Sequence, residues 1–233
     1  MPDPKVLNAV APANAPLAYR PPPDAGLVIV HVDDDLLIVD KPAGLLSVPG
    51  RGPERRDSLA TRVQQRYPEA LIVHRLDMGT SGLLVMARSA AIHSALSRLF
   101  ATRQVAKRYV AIAAGQLPAA EMTIDLPLLA DWPNRPRQMV DRKSGKPSLT
   151  RLRVLAYDMA SDTSRLELSP ETGRSHQLRV HLQAIGHPIL GDEFYAPPEA
   201  FARATRLLLH ATLLAFRHPS TATMLRVEGP APF

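Results

Sequence analysis

The chain has no cysteine among its 233 residues. Disulfides, thiolate catalysis and cysteine-ligated zinc or iron–sulfur sites are therefore excluded, and nothing indicates an oxidising compartment. The chain also lacks any run of roughly 18 apolar residues, the length of a membrane-spanning helix, and its N-terminus has no basic region followed by an apolar one. We expect a soluble protein of the cytoplasm, neither exported nor bound to a membrane.

Several common catalytic motifs are missing as well. The sequence contains no GxGxxG after a strand, no GxxxxGK[ST], no HExxH and no GxSxG. It therefore gives little support for a bound nucleotide cofactor or a zinc site. His176 and His181 are about 140° apart if they lie on one helix, and His187 lies beyond the point where that helix should stop. A shared metal site is not predicted.

The overall composition favours one compact domain with a polyanionic partner. Hydrophobic residues make up 45% of the chain, enough for one sizeable core. The formal charge is +6 and the pI is about 10.0, which raises the odds of binding nucleic acid or an anionic surface.

The order of patterns along the chain predicts an α+β fold. Residues 1–26 are rich in Pro and Ala and should form a disordered or extended arm, and residues 27–233 should form one catalytic domain. We predict a mixed, largely antiparallel central sheet flanked by helices and loops. Its strands should cover residues 27–32, 36–39, 71–73, 83–87, 107–114, 151–156, 164–168, 206–216 and 223–227, with helices after Asp57 or Ser58, around 92–100 and from about 177, and with 117–150 mainly as loop.

The stretch His74-Arg75-Leu76-Asp77-Met78-Gly79-Thr80-Ser81-Gly82 lies between two apolar, strand-like runs. A polar loop carried by two strands is where scaffolds commonly mount reactive groups, because the sheet fixes the geometry and the loop exposes the side chains. Ordinary turn chemistry would explain the same composition. The remaining motifs have to decide between these interpretations.

The chemistry available to this loop rests on one carboxylate, Asp77, and on nearby arginines such as Arg75, Arg174 and Arg179. A guanidinium within about 4–6 Å would hold Asp77 ionised. Glycoside hydrolysis usually needs two carboxylates, whereas an isomerisation at a nucleoside glycosidic bond, with no water added, needs one. If the base lies inside folded RNA, it must be flipped out, which requires a wedge and a stacking group.

Three stretches together resemble the RluA family of RNA pseudouridine synthases. Residues 74–82 resemble its HRLDxxTSG motif, Lys107-Arg108-Tyr109 its lysine-and-tyrosine strand, and residues 173–181 its GR[TS]HQ[IL]RxH motif. The resemblance runs from about residue 27 to the C-terminus, and it leaves no room for the N-terminal S4 domain of several relatives.

The resemblance implies roles for individual residues. Asp77 would be the essential aspartate acting at the ribose, either by adding to C1′ or by removing a C2′ proton. Tyr109 would pack against the flipped base and serve the proton removal at C5, and Arg174 would pair with Asp77. Arg75 would fill the space that the base vacates. The remaining expected substrate-binding residues are His74, Thr80, Lys107, Trp132, Arg135, His176, Leu178 and Arg179.

No cofactor and no metal are implied, since the bonds are exchanged within one nucleotide. The implied partner is structured RNA, namely stem-loops of 23S ribosomal RNA and of tRNA at the anticodon; neither DNA nor a membrane is expected, and the protein should be a monomer. For the 132–137 segment, an aromatic among cations suits phosphate contact with base stacking.

Other interpretations remain open at this point. The same fold could serve as a non-catalytic RNA-binding or remodelling module, or as a synthase for other ribosomal RNA uridines. A nucleoside hydrolase is weaker, because a second carboxylate is missing. At single positions, Tyr109 could be a half-buried strand aromatic, Arg174 a surface cap and Leu178 plain core.

Overall fold

The computed structural model describes residues 19–233. In this range the chain forms twelve strands, four α-helices and two short 3-10 turns at Pro53–Arg55 and Trp132–Asn134. The strands are β1 (Val28–Val32), β2 (Leu36–Lys41), β3 (Leu71–Ile72), β4 (Ser81–Ala87), β5 (Ala106–Ala114), β6 (Glu121–Asp125), β7 (Leu128–Ala130), β8 (Gln138–Val140), β9 (Leu149–Asp158), β10 (Thr163–Pro170), β11 (Leu209–Arg217) and β12 (Met224–Glu228). The helices are α1 (Leu59–Arg66), α2 (Ala90–Ala101), α3 (Gln177–Ala184) and α4 (Pro198–Phe201). None of these helices has the length and apolarity to cross a bilayer.

One large sheet dominates the architecture. Its strand order is β1-β2-β4-β11-β5-β10-β9-β6, with β12 added beside β11 and β3 beside β4, while β7 and β8 form a separate hairpin. Among the pairings in the described range, β4 with β11 is parallel and the others are antiparallel. The predicted α+β class with a mixed, largely antiparallel sheet is confirmed.

Strand β4 holds the core together because it is buried on both faces. Leu83 and Val85 face the cluster that includes α2, whereas Leu84 and Met86 face the cluster that includes α1. Side chains of a strand alternate between faces, so the continuous apolar run at 83–86 requires a covering layer on each side. The two helices provide those layers.

The helices begin where the sequence places capping residues. Ser58 forms a capping box with Thr61 at the start of α1, and the Ser89 side chain accepts a hydrogen bond from the Ile92 backbone at the start of α2. Such caps satisfy backbone donors that a helix leaves free at its first turn. The predicted helix starts are therefore explained by local chemistry.

Most of the range 117–150 lies outside helices and strands, as expected, but three short strands within it were not predicted. These strands are β6, β7 and β8. Strand β6 pairs with β9, whose residues lie far along the chain, from Glu121↔Arg153 to Asp125↔Leu149. Strands of three to five residues leave a weak periodicity in the sequence, so these strands depend on partners that a local window does not contain.

Residues 19–26 form no helix or strand, and they are attached to the domain. Tyr19 Oη donates to the carbonyl of Asp57 at 3.0 Å and accepts from Leu46 N at 3.0 Å. The Arg62 guanidinium donates to the carbonyl of Pro22 at 2.7 Å. The rest of the predicted arm, residues 1–18, lies outside the described residues, and the boundary at residue 27 stays a prediction.

At the centre of the sheet, residues of β4, β11 and β5 lie side by side on neighbouring strands. Gly82 in β4 is in register with Ala211 in β11, and Ala211 is in register with Tyr109 in β5. The 74–80 loop leads directly into β4. The sheet thereby places Asp77 above the strand that carries Tyr109.

We expect Gly82→Ala to destabilise the fold strongly. Gly82 has φ of +111°, and a Cβ there would collide with backbone atoms of Ala211. The left-handed backbone costs about 1–2 kcal/mol, and overpacking adds roughly 1–3 kcal/mol. Urea denaturation measures the loss in the free energy of unfolding.

Gly186→Ala is the matched control. Gly186 also has a positive φ, +86°, but its Cβ would meet nothing within 4 Å. This variant should lose only the backbone contribution, about 1–2 kcal/mol. Equal losses in the two variants would show that the close approach of β4 to β11 carries no special cost.

Candidate active site

The backbone on both sides of Asp77 is pinned to the 41–47 loop. Ser47 Oγ donates to the Leu76 carbonyl at 2.7 Å, and Leu76 N donates back to the same hydroxyl at 3.1 Å. The Met78 carbonyl accepts from Gly44 N at 2.8 Å. The residues before and after Asp77 are thus fixed, so the carboxylate projects from a rigid loop.

Lys41 completes this attachment from below the loop. Its Nζ donates to the carbonyls of Pro42, Leu45 and Met78 at 2.9, 2.7 and 3.1 Å, which uses all three ammonium protons. Burial lowers the pKa of Lys41 to about 7, and the charge of Asp77 opposes that shift. Lys41 is fully buried and was not among the predicted site residues.

The Asp77 carboxylate faces one guanidinium and one imidazole. Arg179 Nη1 lies 3.4 Å from Asp77 Oδ2, and His176 Nε2 lies 3.9 Å from Oδ1. Arg179 is itself held by Asp192 through two hydrogen bonds, Nε–Oδ2 at 2.8 Å and Nη2–Oδ1 at 2.6 Å. Burial alone would lower the pKa of Arg179, but the hydrogen bonds and charge of Asp192 raise it.

The predicted pairing of Arg174 with Asp77 is wrong in this structure. Within the described chain, the ion pairs to Asp77 under 4.0 Å come from Arg179 and His176. Arg174 lies in the turn before α3, is exposed, and donates from Nε to the carbonyl of Pro147 at 3.4 Å. Arg179 is buried in α3, and its Nη1 reaches Asp77 in the 74–80 loop. Both arginines border the same cleft.

Two residues of the first motif support the loop. His74 Nε2 accepts from Val85 N at 3.1 Å, and its ring stacks on Phe100 with centroids 4.5 Å apart. Burial lowers the pKa of His74 to about 3, so this imidazole is neutral. Thr80 is buried, and its N–H donates to the Asp77 carbonyl at 3.1 Å. Both were expected to bind substrate, but these hydrogen bonds stay within the protein.

Strand β5 supplies the side wall of the site. Tyr109 packs against the core clusters on both sides, and burial together with the Asp77 charge raises the pKa of its phenol. Lys107 is half-buried, and burial lowers its pKa. Leu178 is packed in the core beside Leu182 and also borders the cleft. The two interpretations of Leu178 therefore both apply.

These side chains surround one large cleft of about 1700 Å³. Arg75 is exposed on its wall. At the rim, on the β7–β8 hairpin, Trp132 is 67% exposed and the Arg135 guanidinium lies 3.8 Å from its ring centre. An exposed indole backed by a cation suits a stacked base beside phosphate. Over residues 19–233, no group of three or more His, Asp or Glu is placed to hold a metal ion.

Sequence reasoning missed three residues that build the site. Asp192 holds Arg179, Tyr195 contacts His176, and Lys41 anchors the loop. One local signal for Asp192 exists, since it follows the apolar residues Ile189 and Leu190. A charged residue in such a buried stretch needs a partner.

Comparison with known proteins identifies the class. A model of the RNA pseudouridylate synthase family matches residues 35–184. The chain belongs to this family. The dual-specificity RNA pseudouridine synthase RluA of Escherichia coli (strain K12) is 52% identical over 215 residues, covering 92% of this chain and 98% of the relative. The protein of the same name from Pasteurella multocida (strain Pm70) is 49% identical over 217 residues, covering 93% and 99%.

Comparison with a solved structure supports the same family assignment. Human RNA Pseudouridylate Synthase Domain Containing 1 aligns with a TM-score of 0.77 at 32% identity, covering 92% of this chain and 87% of that chain. The chain is accordingly an isomerase, an RNA pseudouridine synthase.

The structure predicts a large difference between Arg179→Ala and Arg174→Ala. Removing Arg179 leaves the fully buried Asp192 without its cation, which should cost about 3–5 kcal/mol of unfolding free energy. Removing the exposed Arg174 should change stability by no more than about 0.5 kcal/mol. Urea denaturation of both variants checks this.

Arg179→Lys serves as the conservative comparison. It keeps the charge but not the two-point contact with Asp192, so its stability should lie between wild type and Arg179→Ala. Similar losses for Arg174→Ala and Arg179→Ala would contradict the pairing described above.

Proposed function

We propose that this synthase acts on uridines in stem-loops of two RNA classes, 23S ribosomal RNA and the tRNA anticodon arm, with Asp77 as its catalytic carboxylate. The observation that carries the proposal is the Asp77 carboxylate, which lies beside the Arg179 guanidinium at the wall of a wide basic cleft. Relatives that are about 50% identical to this chain are named dual-specificity RNA pseudouridine synthases. Their names support two classes of RNA substrate. The protein would act in the cytoplasm as a monomer.

The reaction exchanges bonds within one nucleotide. The N1–C1′ bond breaks, the base turns, a C5–C1′ bond forms, and the proton on C5 is lost while N1 gains one. Asp77 assists at the ribose, by addition to C1′ or by removal of a C2′ proton. A carboxylate must be ionised for either step, and Arg179 Nη1 lies 3.4 Å from Asp77 Oδ2.

Tyr109 is suited to packing against the base. Its phenol has a pKa above the ordinary value because of burial and the Asp77 charge. Forming a phenolate there is expensive, which argues against Tyr109 as an unassisted base for the C5 proton. The neighbouring Leu178 would complete an apolar surface for the base.

The exposed cations serve the RNA itself. Arg75 would enter the space left by the flipped base, since it is exposed beside Asp77. Arg174 and Lys107 would contact phosphates at the cleft, and the Trp132–Arg135 pair would receive an unpaired base at the rim.

Asp77→Asn should retain RNA binding and lose turnover. RNA carrying tritium at uridine C5 releases label when C5 loses its proton, so tritium release from a 23S ribosomal stem-loop and from a tRNA anticodon stem-loop measures the reaction on each class. Wild type should release label from both. The variant should release none, because the amide cannot act as carboxylate.

Asp34→Asn is the matched control, since Asp34 is exposed on the β1–β2 turn. It should release tritium at the wild-type rate. An active Asp77→Asn would remove Asp77 from the mechanism. Release from one RNA class alone would restrict the proposal to that class, and binding without release from either would favour the non-catalytic module.

Trp132→Ala should weaken RNA binding by about 1–3 kcal/mol, the usual contribution of one base stacked on an aromatic side chain. The single-turnover rate at saturating RNA should change little, because Trp132 lies at the rim. Filter binding at fixed salt measures the affinity. Met159→Ala, which truncates an exposed side chain outside the cleft, is the control; equal effects of the two variants would contradict a stacking role.

A further inference from the structure

The Tyr195 hydroxyl lies between the β7–β8 hairpin and His176. It is 2.7 Å from Gln138 N and 2.7 Å from His176 Nδ1. A backbone N–H can only donate, so Oη accepts from Gln138. The phenol oxygen can also donate one proton, and His176 Nδ1 lies within hydrogen-bond distance to accept it.

This arrangement favours one tautomer of His176. An imidazole whose Nδ1 accepts a hydrogen bond carries its proton on Nε2. Nε2 is the atom that faces Asp77 Oδ1, at 3.9 Å. His176 thus presents an N–H to the carboxylate. Burial lowers the pKa of His176 although the Asp77 charge opposes the shift, so the group is a neutral donor.

The His176 ring has little freedom to leave this orientation. Its backbone has a left-handed φ of 54° at the start of α3, and its ring stacks on Phe194 with centroids 5.7 Å apart. Tyr195 closes the other side edge-on at 5.6 Å. Hydrogen bonds at catalytic groups are often long before substrate binds, and a small approach would bring Nε2 within bonding distance of Asp77.

We propose that Tyr195 is a positioning residue that acts through His176: it sets the tautomer that directs an N–H at the Asp77 carboxylate. Tyr195 is buried, so it does not itself touch RNA. The Tyr195 hydroxyl also accepts a hydrogen bond from Gln138 N in β8. This bond connects Tyr195 and His176 to the hairpin that carries Trp132. This inference rests on the proposed catalytic role of Asp77.

Tyr195→Phe removes only the hydroxyl. The ring contact with the Arg179 guanidinium, 5.2 Å from the ring centre, is retained. Without the phenol proton, Nδ1 loses the bond that favours neutral imidazole, so the pKa of His176 should rise. A cationic His176 would then pair with Asp77 at higher pH than in wild type. The acid limb of the pH–rate profile should therefore shift to higher pH. The rate at saturating RNA should fall about 10-fold to 100-fold.

The tautomer is measured first, by nitrogen NMR of the histidine side chains in the full chain without RNA. The His176 signal is assigned by its absence in His176→Gln. Wild type should show the Nε2–H form, and Tyr195→Phe should show a mixture or the Nδ1–H form. Tyr157→Phe, whose hydroxyl donates to Asp162 on the exposed β9–β10 turn, should change neither the tautomer nor the profile.

Two results would overturn the inference: an Nδ1–H tautomer in wild type, or a Tyr195→Phe enzyme with an unchanged acid limb, even if its rate were uniformly lower. The second result would leave Tyr195 a structural role only. If the proposed function is wrong, the result is different: the wild-type protein releases no tritium from either RNA. The tautomer measurement still decides the geometry in that case, because it needs no turnover.

Discussion

The site depends on one buried cation shared by two carboxylates. Arg179 makes a two-point contact with Asp192 and reaches Asp77 with its remaining nitrogen. Asp192 Oδ1 also accepts from the backbone amides of Phe194 and Tyr195, so the carboxylate is stabilised further without another cation. Buried ion pairs contribute little net stability, but an unpaired member is costly. The value of this arrangement is therefore geometric, since it orients α3 against the 74–80 loop.

The 74–80 loop is held mostly through its backbone. Leu76 and Met78 are bonded to Ser47, Gly44 and Lys41, which leaves the Asp77 side chain as the group that projects. Positioning on a rigid support lowers the cost of reaching a reactive geometry at each turnover. The close contact of Gly82 with Ala211 serves the same end by fixing the strand that follows.

The rim of the cleft is built differently. The β7–β8 hairpin is a small sheet of its own, with Trp132 and Arg135 exposed on it. RNA loops vary in shape, and their recognition relies on stacking and on cations that follow the backbone. A rim separate from the main sheet suits that task. The Gln138–Tyr195 bond is a direct connection from this rim to the groups around Asp77.

Much of the molecule was predictable from local patterns. The alternating and continuous apolar runs located most strands of the main sheet, and Ser58 marked the start of α1. The motifs containing Asp77 and Tyr109 indicated the family and the loop that holds the proposed catalytic carboxylate. These features depend on residues that are neighbours in sequence, so a single chain is enough to reveal them.

The partner of Asp77 required the tertiary structure. Arg174 and Arg179 stand in the same motif, and only the orientation of α3 determines which guanidinium reaches the loop. Asp192, Tyr195 and Lys41 act on residues far from them in sequence, as do the pairings of β6 with β9. The sequence by itself determined the reactive groups and the class of fold. Which of those groups meet was decided by packing, because a contact between distant residues has no periodicity or spacing that records it.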